Sequence, residues 1–372
     1  MRVLRALVVE PAGNLWGSER ALLDFLGSVA GSQWQIAVCC PPNTPIVERL
    51  AGLPVAVFPT FVSNLHRKSK LQRLWATAGL LAAGLRHRPQ LLHVNQAGAT
   101  RIAMMAGRVL RIPVIAHVRL AEDVAYLQSL ECSADDLPLV ICVSQFIRNL
   151  FEDWTLDSGR RLTVLYDPYL PQRAWEGVPR ADVLDPKPML ACVGRLARIK
   201  GQDVLLQAIS HLKEEGTPVH GHFFGTGDGG DSFSLELAKL VDRLGIADQI
   251  DWHGYQEEIP SRIAAAAVLV CPSHVEPLGR VVFEAWDAGT IPVAWAGSGG
   301  PAEVIKASQG GFLYTEQTGK SLARTLQSVL ELSPSARQQL VDRGRRWLSR
   351  NCSPAAYGER MLAHWREAGK LS

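Results

Sequence analysis

Residues 188–201 read PMLACVGRLARIKG. Met189 to Val193 is an apolar run without polar alternation, closed by Gly194 and followed by a loop that carries Arg195 and Lys200. A strand that is apolar on both faces must be covered on both, which is the condition of a parallel sheet flanked by helices. The same signature recurs at LVICV (139–143) and VLVC (268–271). Outward from there, β-type runs alternate with helical patterns at 2–9, 34–40, 54–58, 90–94, 113–118, 138–144 and 162–165. They resume at 188–194, 219–225, 249–254, 267–272 and 291–295. This alternation predicts an α/β fold of doubly wound, Rossmann-like halves, whose ligands sit at the carboxyl ends of the strands.

A length of 372 residues suits two domains. Five of the 22 prolines (Pro168, Pro171, Pro179, Pro186 and Pro188) fall within residues 167–188, where they can continue neither a helix nor a central strand. The expected division is a first domain over 1–168, a linker over 169–187 and a second domain over 188–353. A last helix over about 354–372 opens at Ser353-Pro354, with Tyr357, Met361, Leu362 and Trp365 on one apolar face. With 47% hydrophobic and 20% charged residues, the chain is not disordered, collagenous or a coiled coil. The net charge of +3 gives no general argument for nucleic-acid binding. It averages a first half, to residue 180, of +5 and a remainder of −2. The opening MRVLRALVVEP reads as a first strand rather than a secretory signal, and no apolar run is long enough to span a membrane. The seven cysteines form no C-x-x-C pair; Cys142, Cys192 and Cys271 lie in apolar runs and read as small buried hydrophobes, which suits a reducing cytosol.

Arg195 and Lys200 leave the carboxyl end of a strand together, where a planar fork and a point charge suit a diphosphate. The segment CPSHVEPLGRVVFEAWDAG (271–289) places Glu276 in a loop and Glu284 in the helix that follows. Between them, Leu278, Gly279 and Arg280 offer backbone N–H groups at a helix N-terminus, an anion site. Sugar hydroxyls donate hydrogen bonds, so two carboxylates beside an anion site suit a phosphorylated polyol. Taken singly, Arg195 and Lys200 read as well as solvated loop residues, and Glu276 and Glu284 read better as an exposed loop glutamate and a helix-surface glutamate. The run Gly225 to Gly230 spells G-x-G-x-x-G, a dinucleotide fingerprint. It follows the second strand of its half and does not open directly into a helix, so it reads as a turn narrowing a diphosphate pocket. His220 and His222 share a strand face, but the sequence offers no third ligand, and no metal is expected.

In order and spacing, VGRLARIKG (193–201), the GTG turn (225–227), HGYQEE (253–258), EPLGRVVFE (276–284) and GSGGPAEVI (297–305) resemble the family-4 retaining glycosyltransferases of the GT-B fold. In the first half PAGNLWGSERALLDF (11–25), AHVR (116–119) and VICVSQFIRNLF (140–151) are similar to the same family. The resemblance implies two Rossmann-like domains facing across a cleft, with the C-terminal helix crossing back to the first. It implies transfer of a sugar from a nucleoside-diphosphate sugar to a hydroxyl of a glycan, glycolipid or small molecule, with retention at the anomeric carbon. Arg195 and Lys200 would bind the diphosphate, and Glu284 the ribose. Glu276, with the backbone of Leu278 and Gly279, would hold the donor sugar, and Arg280 lies among them. Tyr255 and Gln256 would meet the base, Gly17 and Ser18 the phosphate from the first domain, and His117 the transferring sugar as a hydrogen-bond donor. The catalytic set would be His117, Arg195, Lys200 and Glu276, with no cofactor and no metal, the leaving charge being balanced by cations and a helix N-terminus. Bacterial envelope or exopolysaccharide assembly, including lipopolysaccharide, on the cytoplasmic side is the setting the family suggests. A nucleotide-sugar epimerase on the same fold and a non-catalytic nucleotide-sugar-binding subunit are the alternatives. Two departures stand out: Gly17-Ser18 replaces a double glycine, and Tyr166-Asp167-Pro168 replaces an Asn-Gly after the last strand of the first domain.

Residues 66–88, HRKSKLQRLWATAGLLAAGLRHR, carry six Lys/Arg and no acid, with Leu71, Leu74, Trp75, Ala78, Ala82 and Leu85 at helical spacing. One reading is a domain helix with solvated basic ends. The other is an interfacial helix on anionic lipid, where each basic residue adds about 1 kcal/mol.

Overall fold

In a computed structural model of the chain, residues 3–60, 69–130, 133–151, 161–172, 187–227 and 232–370 are described. The chain divides into two compact units, Met1–Leu170 with Asn351–Ser372, and Pro171–Arg350. Most of the expected linker, residues 173–186, lies outside the described residues, as do 66–68 of the basic segment and 228–231 of the glycine turn.

The first unit runs β1 (Leu4–Val9), α1 (Gly17–Ser28), β2 (Trp34–Cys40), α2 (Pro45–Leu50), β3 (Ala56–Pro59), α3 (Lys70–His87) and β4 (Leu91–Val94). It continues through α4 (Thr100–Leu110), β5 (Val114–Val118), α5 (Glu122–Gln128), β6 (Leu139–Cys142), α6 (Gln145–Asn149) and β7 (Arg161–Val164). The second unit holds β8 (Met189–Val193), α7 (Gln202–Glu214), β9 (His220–Phe224), α8 (Ser232–Leu244), β10 (Ile250–Gly254), α9 (Ile259–Ile263) and β11 (Val268–Cys271). After it come α10 (Arg280–Ala288), β12 (Ile291–Trp295), α11 (Gly300–Ser308), β13 (Phe312–Tyr314), α12 (Gly319–Leu330) and α13 (Pro334–Asn351). The last helix, α14 (Pro354–Ala368), belongs to the first unit.

Each unit is built on one parallel sheet, ordered β3-β2-β1-β4-β5-β6-β7 in the first and β10-β9-β8-β11-β12-β13 in the second. Both are doubly wound, as the apolar runs predict. The strand order reverses between β1 and β4 in one sheet and between β8 and β11 in the other, which opens a crevice at the carboxyl ends there. β13 is an addition to the sequence reading: three residues are too few to show a period.

The second sheet is covered on one side by a core that includes Leu205, Ile209, Phe223, Phe233 and Tyr314, and on the other by Phe224, Ile259, Ile263 and Leu269. In the first unit, Tyr357, Met361, Leu362 and Trp365 of α14 pack into the core formed by Phe25, Leu26, Trp34 and Ile36. Trp365 is fully buried, lies edge-on to Phe25 at 5.4 Å and to Trp34 at 5.2 Å, and donates its indole N–H to His93 Nδ1 at 3.0 Å. Ser353 is the N-cap of α14 with proline next, yet its hydroxyl makes no cap bond; Ser353 contributes only its carbonyl, to Tyr357 N–H at 2.9 Å.

Cys39, Cys40, Cys142, Cys192, Cys271 and Cys352 are free and buried. Burial pushes the thiols of Cys39, Cys40 and Cys142 up to about 12, so they stay protonated and inert near neutral pH. No helix among the described residues is long and apolar enough to cross a membrane. In α3, Ala76, Leu80 and Ala83 are buried, while Leu71, Leu74, Trp75 and Leu85 are exposed, Trp75 by 71%. The stripe picked out by the sequence period is therefore the outward one.

Replacing Trp365 by Ala is expected to lower the unfolding free energy by about 3–5 kcal/mol, the cost of emptying a large aromatic site. Urea denaturation followed by circular dichroism measures this, and a loss below about 1 kcal/mol would mean that α14 does not dock through this residue.

Candidate functional site

At the switch point of the second sheet, β8 ends in Gly194 and a loop whose 3₁₀ turn, Arg198–Lys200, runs into Gly201 and then α7. β11 ends in Pro272 and a loop through Glu276, Leu278 and Gly279 into α10, and β12 feeds α11 through Gly299. All three helices have a glycine N-cap, but the first amides of α11 are already taken, Gly300 N–H by Glu276 O at 2.9 Å and Ala302 N–H by Ser298 Oγ at 3.2 Å. At α7 and α10 no side-chain cap competes with a ligand for the first turn. Two of these glycines are dictated by geometry. Gly201 has φ +67° and a Cβ there would lie 2.1 Å from the Pro272 carbonyl oxygen; Gly279 has φ +77° and a Cβ would lie 2.5 Å from the Pro301 ring.

Lys200 Nζ is paired with Glu276 Oε2, so the cation of one loop meets the carboxylate of the next across the switch point. Burial alone would push the Lys200 ammonium down, but the Glu276 carboxylate outweighs it and raises its pKa. Glu276 is itself strapped to the β12 loop: its N–H donates to Ser298 O at 2.8 Å and its carbonyl accepts from Gly300 N–H at 2.9 Å. Arg195 is exposed, and its carbonyl accepts from Gln202 Nε2 at 2.9 Å. Leu278 is buried, Arg280 opens α10, and Glu284 is half-buried one turn on. The structure thus brings Arg195, Lys200, Glu276, Leu278, Gly279, Arg280 and Glu284 onto the loops and helix starts that flank one crevice.

The GTG turn packs on the loop after β8: Leu196 N–H donates to Thr226 O at 3.0 Å and Gly194 N–H to Phe224 O at 2.9 Å. Gly225 N–H donates to Gly254 O at 2.7 Å, which ties in the end of β10 and hence Tyr255 and Gln256. Tyr255 is exposed, and the Gln256 amide turns back to donate to His253 O at 2.9 Å. A support invisible in the sequence comes from β13, where Tyr314 OH donates to Gln317 Oε1 at 2.7 Å and Gln317 Nε2 donates to Pro272 O at 2.6 Å.

The first sheet's switch point carries a polar cluster that the sequence reading missed. Glu10, just after β1, is fully buried and accepts from Ala12 N–H (2.8 Å), Gln96 Nε2 (3.0 Å) and Asn95 Nδ2 (2.5 Å). Gln96 also donates to buried Glu19 at 3.0 Å and to Ser18 Oγ at 3.1 Å. Gly17 and Ser18 form the start of α1, with Ser18 Oγ donating to Glu19 at 2.9 Å. The signal available was positional: polar residues directly after apolar strands, at VVE (8–10) and HVNQ (93–96). Burial, and then Glu19, raise the Glu10 carboxyl to about 7.

His117 lies inside β5, fully buried, beside His93. Arg119 donates to its Nδ1 at 3.3 Å, and since arginine cannot accept, the ring proton sits on Nε2, which has no partner among the described residues. Burial, then Arg119 and His93, hold His117 neutral, well below the usual histidine range. Arg119 also donates to Asn95 O at 2.9 Å and is paired with Asp167, both side chains being buried. The Tyr166-Asp167-Pro168 departure therefore has a structural role: Asp167 anchors the arginine that sets the His117 tautomer. On the second sheet, His220 and His222 are joined by Asp251 of the neighbouring strand, a third group that spacing along the chain does not reveal.

Two α/β units with charged and glycine-bounded loops at their switch points define the GT-B class of fold. Residues 17–169 match the family description Glycosyltransferase Family 4, and 179–347 match Glycosyl transferases group 1. The chain belongs to this family of group 1, family-4 glycosyltransferases. It is 27% identical over 356 residues to the 2-deoxystreptamine glucosyltransferase of Streptomyces kanamyceticus, covering 86% of this chain and 90% of that one. To the lipopolysaccharide core biosynthesis glycosyltransferase LpsE of Rhizobium meliloti (strain 1021) it is 29% identical over 157 residues, 42% of this chain and less than half (43%) of that relative's length. In fold it is similar to a glycosyltransferase of Rickettsia africae (TM-score 0.83, 17% identity, all of both chains). It is similar also to HepE of Anabaena in complex with UDP-glucose (TM-score 0.79, 19% identity, 98% of this chain and 100% of that one).

Glu10 yields a prediction with a definite sign. The stability that goes with its neutral form is complete below about 4.5, its value in the unfolded chain, and is lost as pH rises through about 7. Between about pH 5 and 8, the unfolding free energy of Glu10→Gln should gain on that of the wild type by on the order of 2 kcal/mol. A difference that stays flat over this range would show an ordinary ionised carboxylate.

Proposed function

We propose that the protein transfers a sugar from a nucleoside-diphosphate sugar to a hydroxyl of a glycan, glycolipid or small-molecule acceptor, with retention at the anomeric carbon and without a metal ion. The observation that carries this reading is the Lys200–Glu276 pair at the switch point, bordered by the glycine-capped N-termini of α7 and α10. A donor diphosphate would take the Lys200 ammonium from Glu276, with Arg195 adding a second cation. Released from the pair, Glu276 would accept hydrogen bonds from the sugar hydroxyls, while the Leu278 and Gly279 N–H groups would donate to the sugar oxygens. Glu284 would hold the ribose, and the backbone at Tyr255 and Gln256 the base.

In this mechanism the nucleoside diphosphate departs, the acceptor attacks from the same face, and a diphosphate oxygen takes the acceptor proton. No carboxylate nucleophile is needed. The chain supplies charge stabilisation and positioning, the terms that dominate such transfers. Gly17 and Ser18 would meet the phosphate, and the Nε2–H of His117 would donate to the donor sugar. HepE is in complex with UDP-glucose and LpsE acts in lipopolysaccharide core biosynthesis, so UDP-sugars and bacterial envelope acceptors come first in a screen. Thermal-shift comparison of UDP, GDP, ADP and dTDP identifies the base.

Arg195→Ala and Lys200→Ala should each lower turnover by about 10²-fold, the loss of one preorganised charge-stabilising donor. Near-normal turnover in both variants would overturn the diphosphate assignment.

The outward stripe of α3 supports peripheral attachment to an anionic membrane. Leu71, Leu74, Trp75 and Leu85 are exposed on a helix whose last turn and cap carry Arg86, His87 and Arg88. Wild-type protein should float with vesicles containing anionic lipid, and the combined variant Trp75→Ser, Arg86→Gln, Arg88→Gln should not. Equal, poor flotation of both would sink the membrane reading.

A further inference from the structure

We infer that β9 and β10 carry a binding site for a first-row divalent metal ion of the zinc class, formed by His220, His222 and Asp251 and separate from the donor crevice. In β9, His220 and His222 project from one face, with Gly221 and Phe223 on the other. Parallel pairing sets Asp251 of β10 opposite His222 and Ile250 opposite Gly221, which puts Asp251 on the histidine face. One ligand atom from each of the three residues lies within 4.8 Å of the others. His220 Nε2 is 3.3 Å and His222 Nε2 3.8 Å from the same oxygen, Asp251 Oδ2. Tetrahedral zinc, with bonds of about 2.0–2.2 Å, needs its donor atoms about 3.3–3.5 Å apart. Small rotations of two imidazoles meet that requirement.

A ring outside the ligand set orients one inside it. His222 Nδ1 is 2.8 Å from His253 Nε2. With the proton on His222 Nδ1 and donated to His253, the lone pair of His222 Nε2 is turned toward Asp251 and His220, the tautomer a metal requires. The His253 ring is held in turn by stacking on Phe224, with centroids 4.6 Å apart and planes 12° apart. Two imidazoles and one carboxylate are a borderline donor set, suited to Zn²⁺, Co²⁺ or Ni²⁺ rather than to Mg²⁺ or Ca²⁺, which take oxygen throughout. Partial exposure, from 21% at the His222 side chain to 50% at Asp251, lets an ion and a completing water enter. Since β10 is an edge strand, the ion would clip it to β9. The proposal does not depend on the donor reading.

The test uses full-length protein stripped with EDTA, dialysed, and titrated with Co²⁺ and then Zn²⁺. One Co²⁺ per chain should bind, with the visible absorption of a tetrahedral nitrogen and oxygen site and no thiolate charge-transfer band, and Zn²⁺ should bleach it. Zn²⁺ should also raise the melting temperature. His222→Ala and Asp251→Asn should abolish both effects, His253→Phe should weaken binding about 10–100-fold, as loss of an orienting partner does, and His211→Ala should change nothing. Binding unaltered in His222→Ala and Asp251→Asn, a thiolate band, or no saturable binding by the wild type would each overturn the site.

Discussion

The Lys200–Glu276 ion pair holds together two loops that come from different parts of the second unit and meet only because the strand order reverses between β8 and β11. A half-buried pair of this kind adds little stability of its own, since desolvation offsets much of the attraction, but removing one partner strands the other charge. Its consequence is positional. With the two side chains joined, the β8 and β11 loops have one relative arrangement, and the neighbouring contacts are shaped to it. The Pro272 carbonyl sits where a Gly201 side chain would be and is held by Gln317, while the Glu276 backbone straps on the β12 loop. The glycine N-caps follow from the same crowding, and α7 and α10 begin without side-chain caps in one neighbourhood.

The first unit solves the same geometric problem with the opposite chemistry. Its switch point is closed by two buried carboxylates, Glu10 and Glu19, bridged by the Gln96 amide and steadied by Asn95 and Arg119. The half of the chain with the basic excess thus buries a pair of carboxylates at its switch point, and the half with the acidic excess sets cations beside the carboxylate of Glu276 at its own. Bulk charge describes surfaces such as α3; a site is set by a few groups whose burial and partners the average does not register.

How far each feature can be read from sequence depends on whether its cause is local. Twelve strands were legible because a buried parallel strand must be apolar on consecutive positions, a property written within five residues. β13 was not, since Phe312–Tyr314 is short and earns its place through Tyr314 and its link to Gln317. That Arg195, Lys200, Glu276 and Glu284 lie on the loops and helix starts around one crevice was legible because glycine, cation and carboxylate recur there at fixed offsets in one continuous stretch each. The Glu10–Asn95–Gln96 cluster was not, because its members are 85 and 86 positions apart and only the β1–β4 pairing joins them. In α3 the period was read correctly and its direction was not determined: Ala76, Leu80 and Ala83 form a second, smaller-residue stripe that suits close packing, which leaves the bulkier stripe outside.

The histidine face of β9 illustrates the same divide more sharply. Alternation along one strand establishes that His220 and His222 point the same way, but what stands beside them is a matter of register. That register is fixed from the other side of the sheet, where Ile250 enters the core with Phe223 and the Trp252 ring lies 4.6 Å from that of Phe223. A slip of one residue in β10 would carry Asp251 and His253 to the apolar face and expose Ile250, so the hydrophobic face enforces the polar one. A ligand set assembled across two strands can therefore be specified as firmly as one written in a single motif, although no segment of the sequence contains it.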